Sequence, residues 1–174
     1  MEILSYILSF AGLACIIAAS LVKGKNMKTI LFLVFMANSL VATGYLVGGS
    51  GINGAISCYI GSAQTIINYF FECKGKPLPK WLVAIYCVAF VVVNIVVGGS
   101  NIMLCALAII ASLTFVMCIG QKSGAKYRFW TIVNMVLWCS YDLFSKSFSA
   151  LIGTHIPQLA FTVVGMIIYD RKKK

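Results

Sequence analysis

Few residues in this chain could do chemistry, and each stands in apolar surroundings. His155 is the sole histidine, so a multi-histidine metal site is excluded and any proton relay would rest on that one imidazole. It lies close to one end of its apolar run, where a structural histidine is the commoner case. Asp142 is the only acid well inside an apolar run, which makes it a functional candidate by default. Lys146, four residues on, offers the plainer alternative of a helix-surface ion pair, and the spacing favours it. Paired carboxylates, HExxH and GxSxG are all missing from the sequence, and nothing at recognisable spacing joins His155 as the base of a serine or cysteine nucleophile. An enzyme is therefore not expected, and neither is a cofactor.

Binding has better candidates. In the stretch WTIVNMVLWCSYD, from Trp130 to Asp142, a helix of 3.6 residues per turn puts Trp130, Asn134, Trp138 and Tyr141 on one stripe. An asparagine facing hydrocarbon would leave its amide unsatisfied, so the stripe must face protein or a wet cavity. The matching stripe earlier in the chain is Val34, Asn38, Ala42 and Tyr45, with Ala42 where the other has Trp138. A large ring across from a gap could hold a small solute between an aromatic platform and amide hydrogen bonds. The alternative is that Asn38 and Asn134 join helices, at about 0.6–2 kcal/mol each, while Trp130 and Tyr141 anchor at the membrane interface. Two further runs are polar: Ser62, Gln64, Thr65 and Asn68 in one, and THIPQ, with Thr154, His155, Pro157 and Gln158, in the other. Pro157 should free a backbone carbonyl one turn earlier.

These residues sit in a chain that is 61% hydrophobic and 10% charged, with a mean hydropathy of +0.97, far from a water-soluble domain. Apolar runs of membrane-spanning length recur near residues 2–22, 29–47, 54–73, 81–97, 101–120, 129–146 and 149–169. Every one of the 14 basic residues except Lys146 falls in the turns on one side. The positive-inside bias then puts the N-terminus outside and the C-terminus in the cytoplasm, with Glu72 and Asp170 as topological acids beside the basic clusters. Dispersed among tight turns, a net charge of +10 reflects orientation and contact with anionic lipid rather than nucleic-acid binding. The opening MEILSYI lacks the basic start of a cleaved signal peptide, and Glu2 stands where myristoylation needs glycine. Seven cysteines without CxxC spacing suggest packing rather than disulfides or metal. Small residues at Ser57, Gly61 and Thr65 suit close helix approach.

NSLVATGYL at Asn38 aligns with NMVLWCSYDL at Asn134, and FFECKGK after the third run parallels IIYDRKKK after the seventh. Spans one to three then repeat in spans five to seven, and two odd-numbered units run parallel only if one helix intervenes. With LWCSYD, the Gly54-Ala55 pair and the terminal YDRKKK, the chain resembles the YgjV-type bacterial inner-membrane proteins, which are similar in design to SWEET sugar carriers, PQ-loop proteins and PnuC vitamin-precursor transporters. The resemblance implies an all-α integral membrane fold of seven transmembrane helices. Two parallel three-helix bundles, residues 1–80 and 99–174, would be joined by a linker helix at 81–98, a 3+1+3 plan. Each bundle would pack in the order first, third, second helix, and a solute path would be lined by asparagine and tryptophan, here Asn134, Trp138 and Asn68. The prolines depart from the SWEET pattern, since Pro77 and Pro79 lie in a loop. The candidate site is Asn134, Trp138, Asn38, Asn68, Gln64, Gln158, His155 and Asp142. The expected function is a carrier of a small, largely uncharged polar solute in the plasma membrane, passive or proton-linked, with a binding or receptor protein on the same scaffold as the alternative. Partners are then the solute and the bilayer, with a homo-oligomer compatible.

Overall fold

The computed structural model describes residues 2–22, 26–48, 52–97, 101–146 and 150–170. The side chain of Tyr45, Gly54, Lys23, Lys25 and the basic run 171–174 lie outside the described residues. The described chain is all helix: α1 (Glu2–Leu21), α2 (Met27–Gly48), α3 (Ile52–Cys73), α4 (Lys80–Val97), α5 (Ile102–Ile119), α6 (Gly124–Ser145) and α7 (Ile156–Asp170), the last entered through a π-helical turn at Leu151–His155. At 1.5 Å per residue the longer helices reach about 30 Å, the thickness of a bilayer core.

Local signals place the helix ends. Asn101 caps α5 by accepting from the Leu104 N–H. Ser123 does the same for α6 at Lys126, so α6 starts five residues before the apolar run does. This corrects the sequence reading of Lys126 and Arg128 as loop residues; both are on the helix. α6 stops at Lys146, which takes up the left-handed conformation at φ 58°. Pro157 cannot supply an amide hydrogen, and the chain accommodates it in the wide turn just upstream, where the Ile156 N–H reaches back to the Leu151 carbonyl.

Among the described residues, four segments are long and apolar enough to cross a membrane: Ile3–Leu21, Met27–Gly48, Ile102–Ile119 and Leu151–Asp170. Helix Lys80–Val96 is apolar but shorter. α3 and α6, at 22 residues each, have the length, but polar side chains dilute them. Most of those polar groups turn inward: Ser62, Gln64, Thr65, Asn68, Thr131, Asn134 and Asp142 are all buried. Outward, the surface carries Ile3, Ile7, Phe10, Ile95, Val96, Ile167 and Ile168. So much exposed apolar surface is compatible with a membrane location and would be a liability in water.

α2 packs along both α1 and α3, and α6 along both α5 and α7, while α4 leans on α5 and α1 meets α7. The middle helix of each triplet is therefore the second, not the third as the resemblance implies. At the end that carries the described basic turns, called the basic end below, Ala19, Met27, Ile30, Leu31, Val34, Cys118, Ile119 and Tyr127 form a closed core, with Trp130 packed at its edge.

The same end holds a buried ion pair. Arg128 has no exposed side-chain surface; its Nε and Nη2 donate to the two Asp170 oxygens at 2.8 and 2.6 Å. Its Nη1 donates to the Val22 carbonyl at 2.9 Å and the Ser20 carbonyl at 3.4 Å. α1, α6 and α7 are thereby joined. The Ser20 and Thr162 hydroxyls bond at 3.0 Å beside it, and a Cβ on Gly165 would sit 2.3 Å from the Ser20 carbonyl oxygen, so only glycine fits. Asp170 is not merely a topological acid.

Removing one partner of a buried pair leaves an uncompensated charge, at about 3–5 kcal/mol. Asp170→Asn should thus lower the melting temperature in detergent far more than Lys126→Ala, an exposed change worth under about 0.5 kcal/mol. The apolar double replacement Arg128→Met with Asp170→Leu should recover most of the loss. Equal melting temperatures for the two single variants would show that the pair contributes nothing.

Candidate functional site

Each helix contributes side chains to one cavity of about 430 Å3, within the range of about 300–1,000 Å3 common for small-molecule sites. Its walls include Ile16 of α1, Asn38 of α2, Ser57 of α3, Asn94 of α4, Ser112 of α5 and Asn134 of α6, with His155 and Gln158 at the entry to α7. On α6 the lining runs from Asn134 to Asp142, and on the last helix from Ala150 to Gln158. The cavity therefore occupies the half of the structure away from the basic end, and the core around Met27, Ile119 and Tyr127 lies beneath it.

Asp142 and His155 form the most polar part of the wall. The His155 Nδ1 and Asp142 Oδ2 stand 2.5 Å apart, with the side chains 19% and 4% exposed. This replaces the Asp142–Lys146 pair favoured by spacing. Lys146 ends α6 in a left-handed turn and is exposed, so the i,i+4 geometry of a continuing helix is lost, while the turn at Leu151–His155 brings the imidazole to the carboxylate. Trp138 stacks on the His155 ring, centroids 5.8 Å apart and planes 19° from parallel. Tyr141 meets Trp138 edge-on at 5.4 Å. With a carboxylate on Nδ1, the imidazole presents Nε2 as its free nitrogen.

The amides divide by whether they are spoken for. The Asn134 Nδ2 donates to the Ala111 carbonyl at 2.6 Å and the Thr114 hydroxyl at 2.9 Å, so Asn134 joins α6 to α5 and keeps only its oxygen for the cavity. Asn94 is tied in the same way, to the Phe90 carbonyl and the Ser112 hydroxyl. By contrast, the Asn38 Nδ2 is buried without a partner, against the open face of Gly61, where a Cβ would come within 3.2 Å of it and of Phe115. Among the described residues the Gln158 side chain makes no hydrogen bond either, and it faces the cavity.

Of the residues singled out from sequence, Asn134, Trp138, Asn38, Gln158, His155 and Asp142 meet at this cavity. Asn68 and Gln64 do not. Asn68 donates to the Ile119 carbonyl and accepts from the Tyr86 hydroxyl, joining α3 to α4 and α5 nearer the basic end. Gln64 is 1% exposed, with neither side-chain atom partnered. Ala42 is fully buried away from the cavity, so it is not the gap across from Trp138; Ala37 and Val41 are the α2 side chains beside Asn38. Asn94 and Ser112 were missed. The signal was there for Asn94, an amide alone in VVVNIVV, which lipid would leave unsatisfied.

Comparison of the chain with known protein families, with curated proteins and with solved structures finds no match in any of the three.

Because Asn134 holds two helices and Gln158 holds none, their leucine variants should separate. Asn134→Leu is expected to cost about 1–2 kcal/mol in thermal unfolding, and Gln158→Leu under about 0.5 kcal/mol. A Gln158 loss as large as that of Asn134 would mean that its amide is structurally engaged.

Proposed function

We propose that this chain is a membrane carrier for a small, largely uncharged polar solute, moving it by alternating access around the central cavity. The observation that carries the proposal is the cavity itself: all seven helices border it, it mixes unspent amides with an aromatic stack, and among the described residues its one carboxylate is already faced by an imidazole. Such a lining orients a solute by hydrogen bonds and a flat ring contact rather than by a fixed charge.

Two further features favour transport. The space lies toward one end and the packed core toward the other, the arrangement of a carrier open to one side. The basic end is held by a joint of α1 with α6 and α7, beside the core around Met27 and Tyr127, so a rocking motion would open it along that seam between the two units. In this reading, seven helices span the plasma membrane, a bacterial inner membrane by its resemblance to the YgjV-type proteins. Residues 1–80 and 99–174 move as two three-helix units about the helix at 81–98, with the N-terminus outside and the C-terminus in the cytoplasm. The internal likeness of the Asn38 and Asn134 stretches supports the two-unit scheme, although the middle position of α2 and α6 departs from the SWEET helix order.

Thermal stability of the purified protein against neutral sugars, nucleosides, vitamins and amino acids tests the reading. A bound solute at about a hundred times its dissociation constant adds about 2.7 kcal/mol. The same solute should then exchange across proteoliposomes, and Trp138→Ala should weaken its binding about tenfold, the equivalent of about 1.4 kcal/mol for a lost ring contact. Binding without exchange would turn the conclusion to a receptor, and stabilisation unchanged in Trp138→Ala would place the solute elsewhere.

A further inference from the structure

Asp142 and His155 stand together on the cavity wall. A carboxylate and an imidazole, 4% and 19% exposed and 2.5 Å apart, are held inside a chain with little other charge in its apolar segments, and intramembrane pairs of this kind commonly mark proton paths. Asp142 occupies Nδ1, so the Nε2 is the nitrogen open to a proton. No protein group takes it among the described residues. Trp138 covers one face of the ring and at the same time walls the solute cavity. Whatever changes at His155 is therefore felt at the cavity surface.

We propose that Asp142 and His155 form a proton-binding site at the wall of the cavity, so that the carrier moves its solute together with a proton. This rests on the carrier reading. The bookkeeping is simple. With neutral imidazole the pair carries one negative charge; a proton from water on Nε2 makes an imidazolium–carboxylate pair with none. A cavity wall without net charge is easier to carry through a low-dielectric passage than one with a charge, so the loaded, protonated protein reorients, and the proton leaves from Nε2 on the other side.

Other titratable groups stand near the pair. On α6 these are Cys139, Tyr141 and Lys146; Cys105 of α5 and Cys58 of α3 border the same cavity. On α1, which packs against α7, the described side chains offer only Tyr6 and Cys15. Thiols, phenols and ammonium groups ordinarily titrate above an imidazole.

Tryptophan fluorescence of the purified protein, titrated from about pH 8 to 5 without solute, reads the site directly, because an imidazolium stacked on an indole quenches it. The wild type should lose emission as the pH falls. His155→Gln and Trp138→Phe should each abolish that loss, because one removes the imidazole and the other the indole stacked on it. A quench that persists in both His155→Gln and Trp138→Phe would overturn the proton site. The coupling is read from stabilisation by the best compound of the neutral panel: it should be pH-dependent in the wild type and pH-independent in His155→Gln. PH-independent stabilisation in the wild type would overturn the coupling. No stabilisation by any compound, with the quench intact, would count against the carrier reading and leave the proton site standing.

Discussion

Arg128 has no exposed surface, and a guanidinium in that position is tolerable only if its donors are engaged and its charge met. Both conditions draw in other helices. The carboxylate comes from Asp170 at the end of α7, and the carbonyls come from Ser20 and Val22 at the end of α1. Gly165 then lets the α7 backbone lie against Ser20, and the hydroxyls of Ser20 and Thr162 close the joint. With the basic end fixed this tightly and filled by the core around Met27 and Tyr127, the free volume collects in the other half. The cavity is in this sense a consequence of the joint.

The same rule of satisfaction sorts the polar residues. Asn134, Asn94 and Asn68 each donate an amide hydrogen to a neighbouring helix, and so define where α3, α4, α5 and α6 meet. What they leave over, with Gln158 and the Asp142–His155 pair, is the polar lining of the cavity. Glue and lining are thus not exclusive: Asn134 is both, through different atoms. Gln64, buried with neither polar atom partnered, stands against the rule, and nothing in the structure explains it.

Helices were legible because their information is local. Apolar runs and short turns place the seven helices to within a few residues, except at the start of α6, where Lys126 and Arg128 look like loop until Ser123 is recognised as a cap, and at the start of α7, which a π-helical turn precedes. Partners were not legible, since they depend on folding. Arg128 and Asp170 are separated by 42 positions, and Asp142 finds His155 rather than Lys146 only because α6 ends in a left-handed residue and a π-helical turn follows. The polarity of α3 is visible in its sequence, but one polar face serves two purposes, and sequence could not separate Ser57 at the cavity from Asn68 at the packed end. The helix order within each triplet, taken from a resemblance rather than from residues, is where the expectation and the structure part.

The cavity is closed toward the basic end by the core around Met27 and Tyr127 and by the Arg128–Asp170 joint. The most direct test of this closure uses protein in sealed vesicles with Cys105, which borders the cavity, as the only cysteine, and a charged thiol reagent that cannot cross the membrane. The account predicts labelling from the face away from the basic turns and protection from the other face, with Asp170→Asn admitting the reagent from the basic side. Labelling of the unaltered joint from the basic side alone would contradict it.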